Sequence, residues 1–453
     1  MKFKFRKLSL LLGDVFTLYA ALFFALFLRN YFSHTDATWS SHFWPFTQIF
    51  VVWLLIFYIS DIYNIHTAVN NAKFYRQLFR GITISSFISI LYFYANPTIG
   101  ISPKTNLIIF VIILTILMVL WRNLFNWLAG SYLSKKNILY LGNSDQIREI
   151  VELTKTMPHL GYTVAAILNE EEVIQEENNP TLFGEKIKLE DIIAQKNIST
   201  IVLGSHLVFS EKLRTALFNC IKFKIDIIRL SKFYEDLTNK ISLETINKAW
   251  FLENLNEGSK KKFDTIKRIY DLLFALILIL ITLPLWPIII IIITLESPGS
   301  AFFKQERLGK LERTFTMLKF RTMKITDNNF QPTTSNDQRI TKFGNFLRRS
   351  RLDEIPQLIN IVKGDMSFVG PRPERPELAH KLEENVPFFK ERLLVKPGLT
   401  GLDQISGEYH SPSLEDTLKK MQYDLYYIKN RSIYLDLSIL LKTVMTVLSK
   451  AGR

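Results

Sequence analysis

Two adjacent carboxylates, Asp353 and Glu354, stand in Arg348-Arg349-Ser350-Arg351-Leu352-Asp353-Glu354-Ile355-Pro356-Gln357-Leu358, directly ahead of a proline suited to the first turn of a helix. Adjacent residues do not stack on one helix face, so the two can take separate roles, one attacking phosphorus and one binding Mg2+. Phosphoryl transfer asks for a nucleophile, a cation that neutralises charge, and Arg or Lys to hold phosphate oxygens. By itself the pair also fits an acidic first turn that offsets a helix dipole. The surroundings favour chemistry. Lys363-Gly364-Asp365-Met366-Ser367-Phe368-Val369-Gly370-Pro371-Arg372-Pro373-Glu374-Arg375 is bounded by Gly and Pro and presents Arg372 and Arg375 from a stiff loop, suited to gripping a pyrophosphate. Upstream, Gln305–Gly309 and Met317–Met323 read as a hairpin carrying cations, Lys319 and Arg321 among them; downstream, Val395–Leu402 is a Gly-rich turn.

The elements that must position these residues begin at the membrane. A net charge of +14 on a chain of 453 residues that is 48% hydrophobic suits an anionic membrane surface or phosphorylated substrates. Long apolar runs argue against nucleic acid as the partner. Cys220 stands alone, which excludes a disulfide framework and a thiolate metal cluster and fits a reducing compartment. Apolar stretches near Leu8–Leu28, Phe46–Tyr63, Leu78–Tyr94 and Leu107–Leu128 are each long enough to cross a bilayer, and the first is read as a retained helix. Lys2, Lys4, Arg6 and Lys7, then Lys73, Arg76 and Arg80, then Arg122, Lys135 and Lys136 flank them on one side, whereas the opposite loops carry only Lys104. The N-terminus and everything after Lys135 are therefore expected in the cytoplasm. No charge inside the spans stands out as a transport relay.

From Asn137 short apolar runs alternate with amphipathic ones. Asn137–Leu141, Tyr162–Leu168, Thr200–Gly204 and Ile225–Leu230 read as strands, with helices at Ile147–Lys155, Leu189–Gln195 and Glu211–Phe223. A small, degenerate Rossmann-like α/β domain is expected. The turn after its first strand, Leu141-Gly142-Asn143-Ser144-Asp145, lacks the glycines a dinucleotide fingerprint needs, so a packing or dimerisation role is expected rather than a nicotinamide site. Glu170–Pro180 reads as an acidic surface loop. Leu272–Leu295 is uncharged and long enough to span, yet Lys260, Lys261, Lys262, Lys267 and Arg268 precede it and Lys304, Arg307, Lys310 and Arg313 follow it. Both ends prefer the cytoplasmic face, and Pro284 and Pro287 bend the run, so it is expected to enter and leave on one side.

Taken in order, Lys267-Arg268 followed by Asp271, the Pro-broken segment, Lys319-Phe320-Arg321, Leu352-Asp353-Glu354-Ile355-Pro356-Gln357-Leu358, Gly364-Asp365-Met366-Ser367-Phe368-Val369-Gly370-Pro371-Arg372-Pro373 and Pro397-Gly398-Leu399-Thr400-Gly401 resemble the bacterial sugar transferase family of polyprenyl-phosphate hexose-1-phosphate transferases. The resemblance spans Lys267 to about Thr446, and the front end looks like the long form of that family. It implies a ping-pong reaction at the inner membrane in which Asp353 attacks the sugar-bearing phosphate of an NDP-sugar, NMP leaves, and undecaprenyl phosphate takes the sugar phosphate from the enzyme. Glu354 would ligate Mg2+. Arg372 would hold phosphate, and Lys319, Arg321, Arg348, Arg375, Lys267 and Arg268 complete the candidate set of substrate-binding cations. Two positions depart from the family's usual pattern: Arg351 stands where Ser often precedes Leu-Asp-Glu, and Leu283 where Ser often precedes the membrane proline.

The implied organisation is four transmembrane helices over 1–134, the α/β domain over 135–255, and a catalytic α/β domain over 256–453 with a re-entrant helix at about 268–295, in a homodimer bearing on inner-membrane lipids. Met421–Leu448 reads as an amphipathic helix on the membrane surface, with core packing as the alternative. The rival readings are a nucleotide-sugar dehydratase or epimerase and a non-catalytic membrane scaffold for polysaccharide assembly.

Overall fold

The computed structural model describes residues 2–33, 39–63, 71–96, 103–131, 136–142, 145–156, 161–168, 189–204, 211–255, 257–324, 337–406 and 413–448. Lys135, Asn143, Ser144 and the acidic stretch Glu170–Pro180 lie outside the described residues. The chain divides into two compact units, Met1–Leu230 and Ser231–Arg453.

The first unit opens with α1 (Lys2–Ser33), α2 (Trp39–Ile59), α3 (Ala72–Ala95) and α4 (Pro103–Ser131). Within them Lys7–Tyr31, Trp39–Ile59, Phe74–Ala95 and Asn106–Leu128 are long and apolar enough to cross a bilayer, as the hydropathy pattern predicts. The protein is a multi-pass membrane protein. Phe16, Phe87 and Ile108 are exposed on the outer faces, where lipid rather than water is the natural contact. Inside, Phe46, Phe50, Trp53 and Phe110 interlock, and the Trp53 indole donates to Ser89 Oγ at 2.8 Å. One expectation is corrected here. Arg122, counted from the sequence as a flanking cytoplasmic charge, is buried within α4 and donates to Asp14 Oδ2 of α1 at 2.6 Å. The rings of Tyr63 and Phe74 lie 5.7 and 5.9 Å from its guanidinium. The spans thus enclose two charges that cancel, and removing one partner of such a pair costs far more than the pair itself contributes.

The same unit continues as β1 (Lys136–Leu141), α5 (Asp145–Thr156), β2 (Tyr162–Leu168), α6 (Leu189–Gln195), β3 (Ile198–Leu203), α7 (Glu211–Asn219) and β4 (Asp226–Arg229). The strands form one parallel sheet in the order β2-β1-β3-β4. Parallel pairing needs a crossover between strands, which is why the apolar runs alternate with amphipathic ones. Leu139, Leu141, Ile201 and Leu203 of the central strands pack against Ile193, Leu213, Leu217 and Cys220, so the lone cysteine is a core residue.

The second unit holds α8 from Ser231 (the helix is Leu230–Thr238), α9 (Lys248–Asn254), α10 (Glu257–Thr282), α11 (Leu285–Glu296), β5 (Phe302–Leu308), β6 (Thr314–Phe320), α12 (Lys342–Ser350), α13 (Gln357–Lys363), β7 (Ser367–Val369), α14 (Pro376–Asn385), β8 (Gly398–Thr400), α15 (Leu414–Asn430) and α16 (Ile433–Leu448). Residues 231–255, assigned from the sequence to the middle domain, belong here instead. Ile241, Leu243, Ile246 and Trp250 find their cover in the core that holds Leu358, Phe368 and Leu425, and Glu235 pairs with Lys429 at 2.8 Å. β5 and β6 form the expected antiparallel hairpin, and β7 pairs in parallel with β8.

The chain bends by 64° between α10 and α11. Pro284 sits in the break, whereas Pro287 falls in the first turn of α11, where the missing N–H costs nothing. The hydroxyl that Leu283 does not supply is carried one residue earlier: Thr282 Oγ1 donates to Leu278 O at 2.7 Å and accepts from the Trp286 indole at 3.3 Å. The C-terminal stretch is two helices rather than one, broken at Arg431 and Ser432. α15 is core, with Met421, Leu425, Tyr427 and Ile428 buried, while α16 leaves Ile433, Tyr434, Leu437 and Val444 exposed.

Candidate active site

The dyad is built by a sharp change of direction. α12 ends at Ser350, Arg351 takes a left-handed conformation (φ 59°), and Leu352–Glu354 form a single 3-10 turn before Pro356 leads into α13. The carboxylates therefore lie one turn ahead of the helix, before the proline as the sequence suggests, and not within an acidic first turn, the alternative reading. Asp353 is 8% exposed and its Oδ1 has no hydrogen-bond partner. Glu354 Oε1 accepts from Lys319 Nζ of β6 at 3.0 Å and lies 3.7 Å from Arg351 Nη1.

These surroundings push two identical chemistries apart. Burial, and then the adjacent Glu354 charge, raise the Asp353 carboxyl above the ordinary carboxylate range, against Lys319, Arg351 and Arg348. Burial works the same way on Glu354 but loses there to Lys319, Arg372 and Arg351, which hold it well below that range. A pair split in this way has one member that keeps its charge and one that is electron-rich and open to a partner.

Arg372 stands on a loop whose backbone is pinned from several sides. Gly370 N donates to Thr400 O at 3.0 Å, Gly398 N to Pro371 O at 2.9 Å, Arg392 Nη2 to Arg372 O at 2.9 Å, and Arg307 Nη1 to Pro373 O at 3.0 Å. A Cβ on Gly370 would collide with Lys396 O, which is why glycine is required at this crossing. Arg392, which sequence reasoning missed, is itself buried and paired with Asp424 at 2.9 Å. The Arg372 side chain is exposed, has no hydrogen-bond or ion-pair partner among the described residues, and its charge reaches Glu354. Arg348 is close enough for its charge to act on Asp353, and its Nε donates to Thr322 Oγ1 at 2.8 Å.

The structure thus gathers Asp353, Glu354, Lys319, Arg348 and Arg372, and adds Arg351, which the sequence marked only as a departure. The other expected cations are engaged elsewhere. Arg321 donates to Ser297 O at 2.5 Å and Pro298 O at 2.8 Å; Lys267 pairs with Asp436; Arg268 donates to Ile361 O and Val362 O; Arg375 neighbours Arg307. Asn360 was also missed: from α13 it donates to Thr316 O at 2.8 Å and accepts from Leu318 N at 3.1 Å, fastening the helix to the edge of β6. A buried amide inside an apolar run was the available signal.

Among the described residues no three or more His, Cys, Asp or Glu side chains converge as a metal cage. Asp353, with a partnerless oxygen, and Glu354, paired with Lys319, are hard oxygen donors and are the two residues here that could hold a cation such as Mg2+.

Residues 262–450 match the family described as bacterial sugar transferase. The chain is 36% identical over 238 residues to a UDP-N-acetylgalactosamine-undecaprenyl-phosphate N-acetylgalactosaminephosphotransferase of Aeromonas hydrophila, covering 52% of this chain and 55% of that protein. It is 45% identical over 134 residues to a putative undecaprenyl-phosphate N-acetylgalactosaminyl 1-phosphate transferase of Bacillus subtilis, covering 29% of this chain and 75% of that one. A UDP-glucose:undecaprenyl-phosphate glucose-1-phosphate transferase of Klebsiella pneumoniae is 25% identical over 443 residues, 95% of this chain and 93% of its own. The chain thus spans about half of the length of the Aeromonas hydrophila protein.

Proposed function

The chain belongs to the bacterial sugar transferase family, and from that premise we propose that it transfers a hexose 1-phosphate from an NDP-sugar, a UDP-sugar as in the names of its relatives, to undecaprenyl phosphate, the first membrane step in building a polysaccharide repeat. The observation that carries this reading is the buried Asp353 oxygen without a partner, beside a glutamate whose charge is fixed by Lys319. Asp353 attacks the sugar-bearing phosphorus, the bond from that phosphorus to the NMP oxygen breaks, and an acyl phosphate remains on the enzyme. An oxygen of undecaprenyl phosphate then attacks the same phosphorus, the acyl bond breaks, and the Asp353 carboxylate is restored. Arg372 and Arg348 hold non-bridging oxygens, and Lys319 keeps Glu354 ionised and oriented. Mg2+ bound with Glu354 would supply charge neutralisation on the leaving nucleotide. The test is a single turnover with Mg2+ and a panel of NDP-sugars without the lipid acceptor: about one NMP per active site and a hexose-phosphate mass on the peptide carrying Asp353 are expected, and absence of both the burst and the adduct would sink the covalent route.

The bent pair α10–α11 is read as re-entrant in the inner (cytoplasmic) membrane, with the second unit in the cytoplasm, because both flanks are basic and the helix is broken, with a bend of 64°, between them. Labelling of Ser300→Cys from the periplasm alone would refute this. The Rossmann-like sheet of the first unit serves dimerisation in this reading, through Phe218, Ile221 and Ile227, which are exposed apolar side chains of one stretch. Replacing Phe218 and Ile221 by Asp should halve the particle mass in matched detergent, and an unchanged mass would dispose of it.

A further inference from the structure

α13 carries the dyad turn at one end and Gly364 at the other. Gly364 closes the helix in the left-handed region (φ 93°), donating to Asn360 O and Ile361 O, so no side chain covers its backbone. Two cations lean over this bare face: a Cβ on Gly364 would stand 3.3 Å from Lys396 Nζ and 3.4 Å from Arg268 Cζ. Arg268 spends two of its five donors on the final carbonyls of the helix, Ile361 O at 2.5 Å and Val362 O at 2.7 Å, and is thereby held in place. Lys396 Nζ has no hydrogen bond or ion pair among the described residues although it is half-buried. Burial lowers its pKa, and Arg268 and Lys310 lower it further against Asp271 and Asp365, so an anion seated there would relieve repulsion already present.

The depth of this notch points to its occupant. Arg268 lies one turn before the uncharged run of α10, and the neighbouring Ile266, Ile269 and Leu273 are exposed as a lipid-facing stripe would be. A cation at the start of such a stripe sits at the level of phospholipid headgroups. It is not the reacting centre, because the seven residues of α13, about 10 Å of helix, separate Gly364 from the dyad turn.

We propose that Lys396 and Arg268, converging over Gly364, form a seat for the phosphodiester headgroup of an anionic membrane phospholipid. The full-length protein in detergent is titrated, by native mass spectrometry, with short-chain phosphatidylglycerol, with the matching phosphatidylcholine and with inorganic phosphate. Phosphatidylglycerol should bind saturably and more tightly than the other two, Lys396→Met should weaken it about fivefold, the loss expected for one lysine at a membrane surface, and Lys396→Arg should restore it. Because Lys396 makes no bond within the fold and its charge is disfavoured there, thermal unfolding of Lys396→Met should come no earlier than that of the parent. Equal retention of phosphatidylglycerol by Lys396→Met, or equal binding of phosphatidylcholine, would overturn the proposal; inorganic phosphate binding as tightly as the lipid would overturn the lipid assignment and leave a free-phosphate site.

Discussion

Asp353→Asn should abolish the NMP burst and the covalent adduct, slow turnover by at least about 10³-fold, and yet leave the protein more stable than its parent. The two outcomes have one cause. A carboxyl raised by burial and by Glu354 binds a proton more readily folded than unfolded, so at neutral pH the ionised side chain costs the fold energy. That cost is absent at pH below the unfolded value, grows as pH rises from there through the folded one, and is on the order of 3 kcal/mol for a carboxyl raised to about 6. The amide keeps the shape and removes the charge. Thermal unfolding in one detergent, followed from pH 5 to 8, should therefore show a higher midpoint for the variant and a shallower fall over the acid half of that range, where Asp353 of the parent ionises. Activity within tenfold of the parent would remove Asp353 as the nucleophile. Lost activity with a lowered midpoint would mean only that the substitution damages the fold.

Glu354→Gln should slow the burst roughly 10²–10³-fold, the usual size for removing one charged partner from a phosphoryl site, and change its dependence on pH and Mg2+ in stated directions. Without Glu354, Lys319 and Arg351 lose their countercharge, and Asp353 loses the like charge that helps to raise it. The freed lysine can then serve Asp353. Its ionisation, and with it the acid limb of the rate profile, should move to lower pH, while the Mg2+ concentration for half-maximal rate should rise at least tenfold, roughly the worth of one carboxylate ligand. An acid limb and an Mg2+ dependence identical to the parent would show that Glu354 neither tunes Asp353 nor holds the cation.

What could be read in advance follows length and period. The spans, the alternating strands and the Pro284 break are local properties of the chain, and they appear where hydropathy and chain-bending residues put them. The dyad is contiguous, so its motif is visible without a fold. The choice of cations is not, because residue type carries no direction. Strand alternation would put Lys319 and Arg321 on one face, but β6 ends at Phe320, and Arg321 turns to the carbonyls of Ser297 and Pro298 while Lys319 meets Glu354. Residues 231–255 were misplaced for a related reason: their cover is Leu358, Phe368 and Leu425, more than a hundred residues away along the chain, and nothing local announces it.

The pairing of Asp14 with Arg122 sets an order of events during synthesis. Neither charge can rest in lipid by itself, and the partner of a helix near the start of the chain emerges only with the fourth. The pair is complete only once α4 has been made, so losing one partner should lower the yield of folded protein more than losing both.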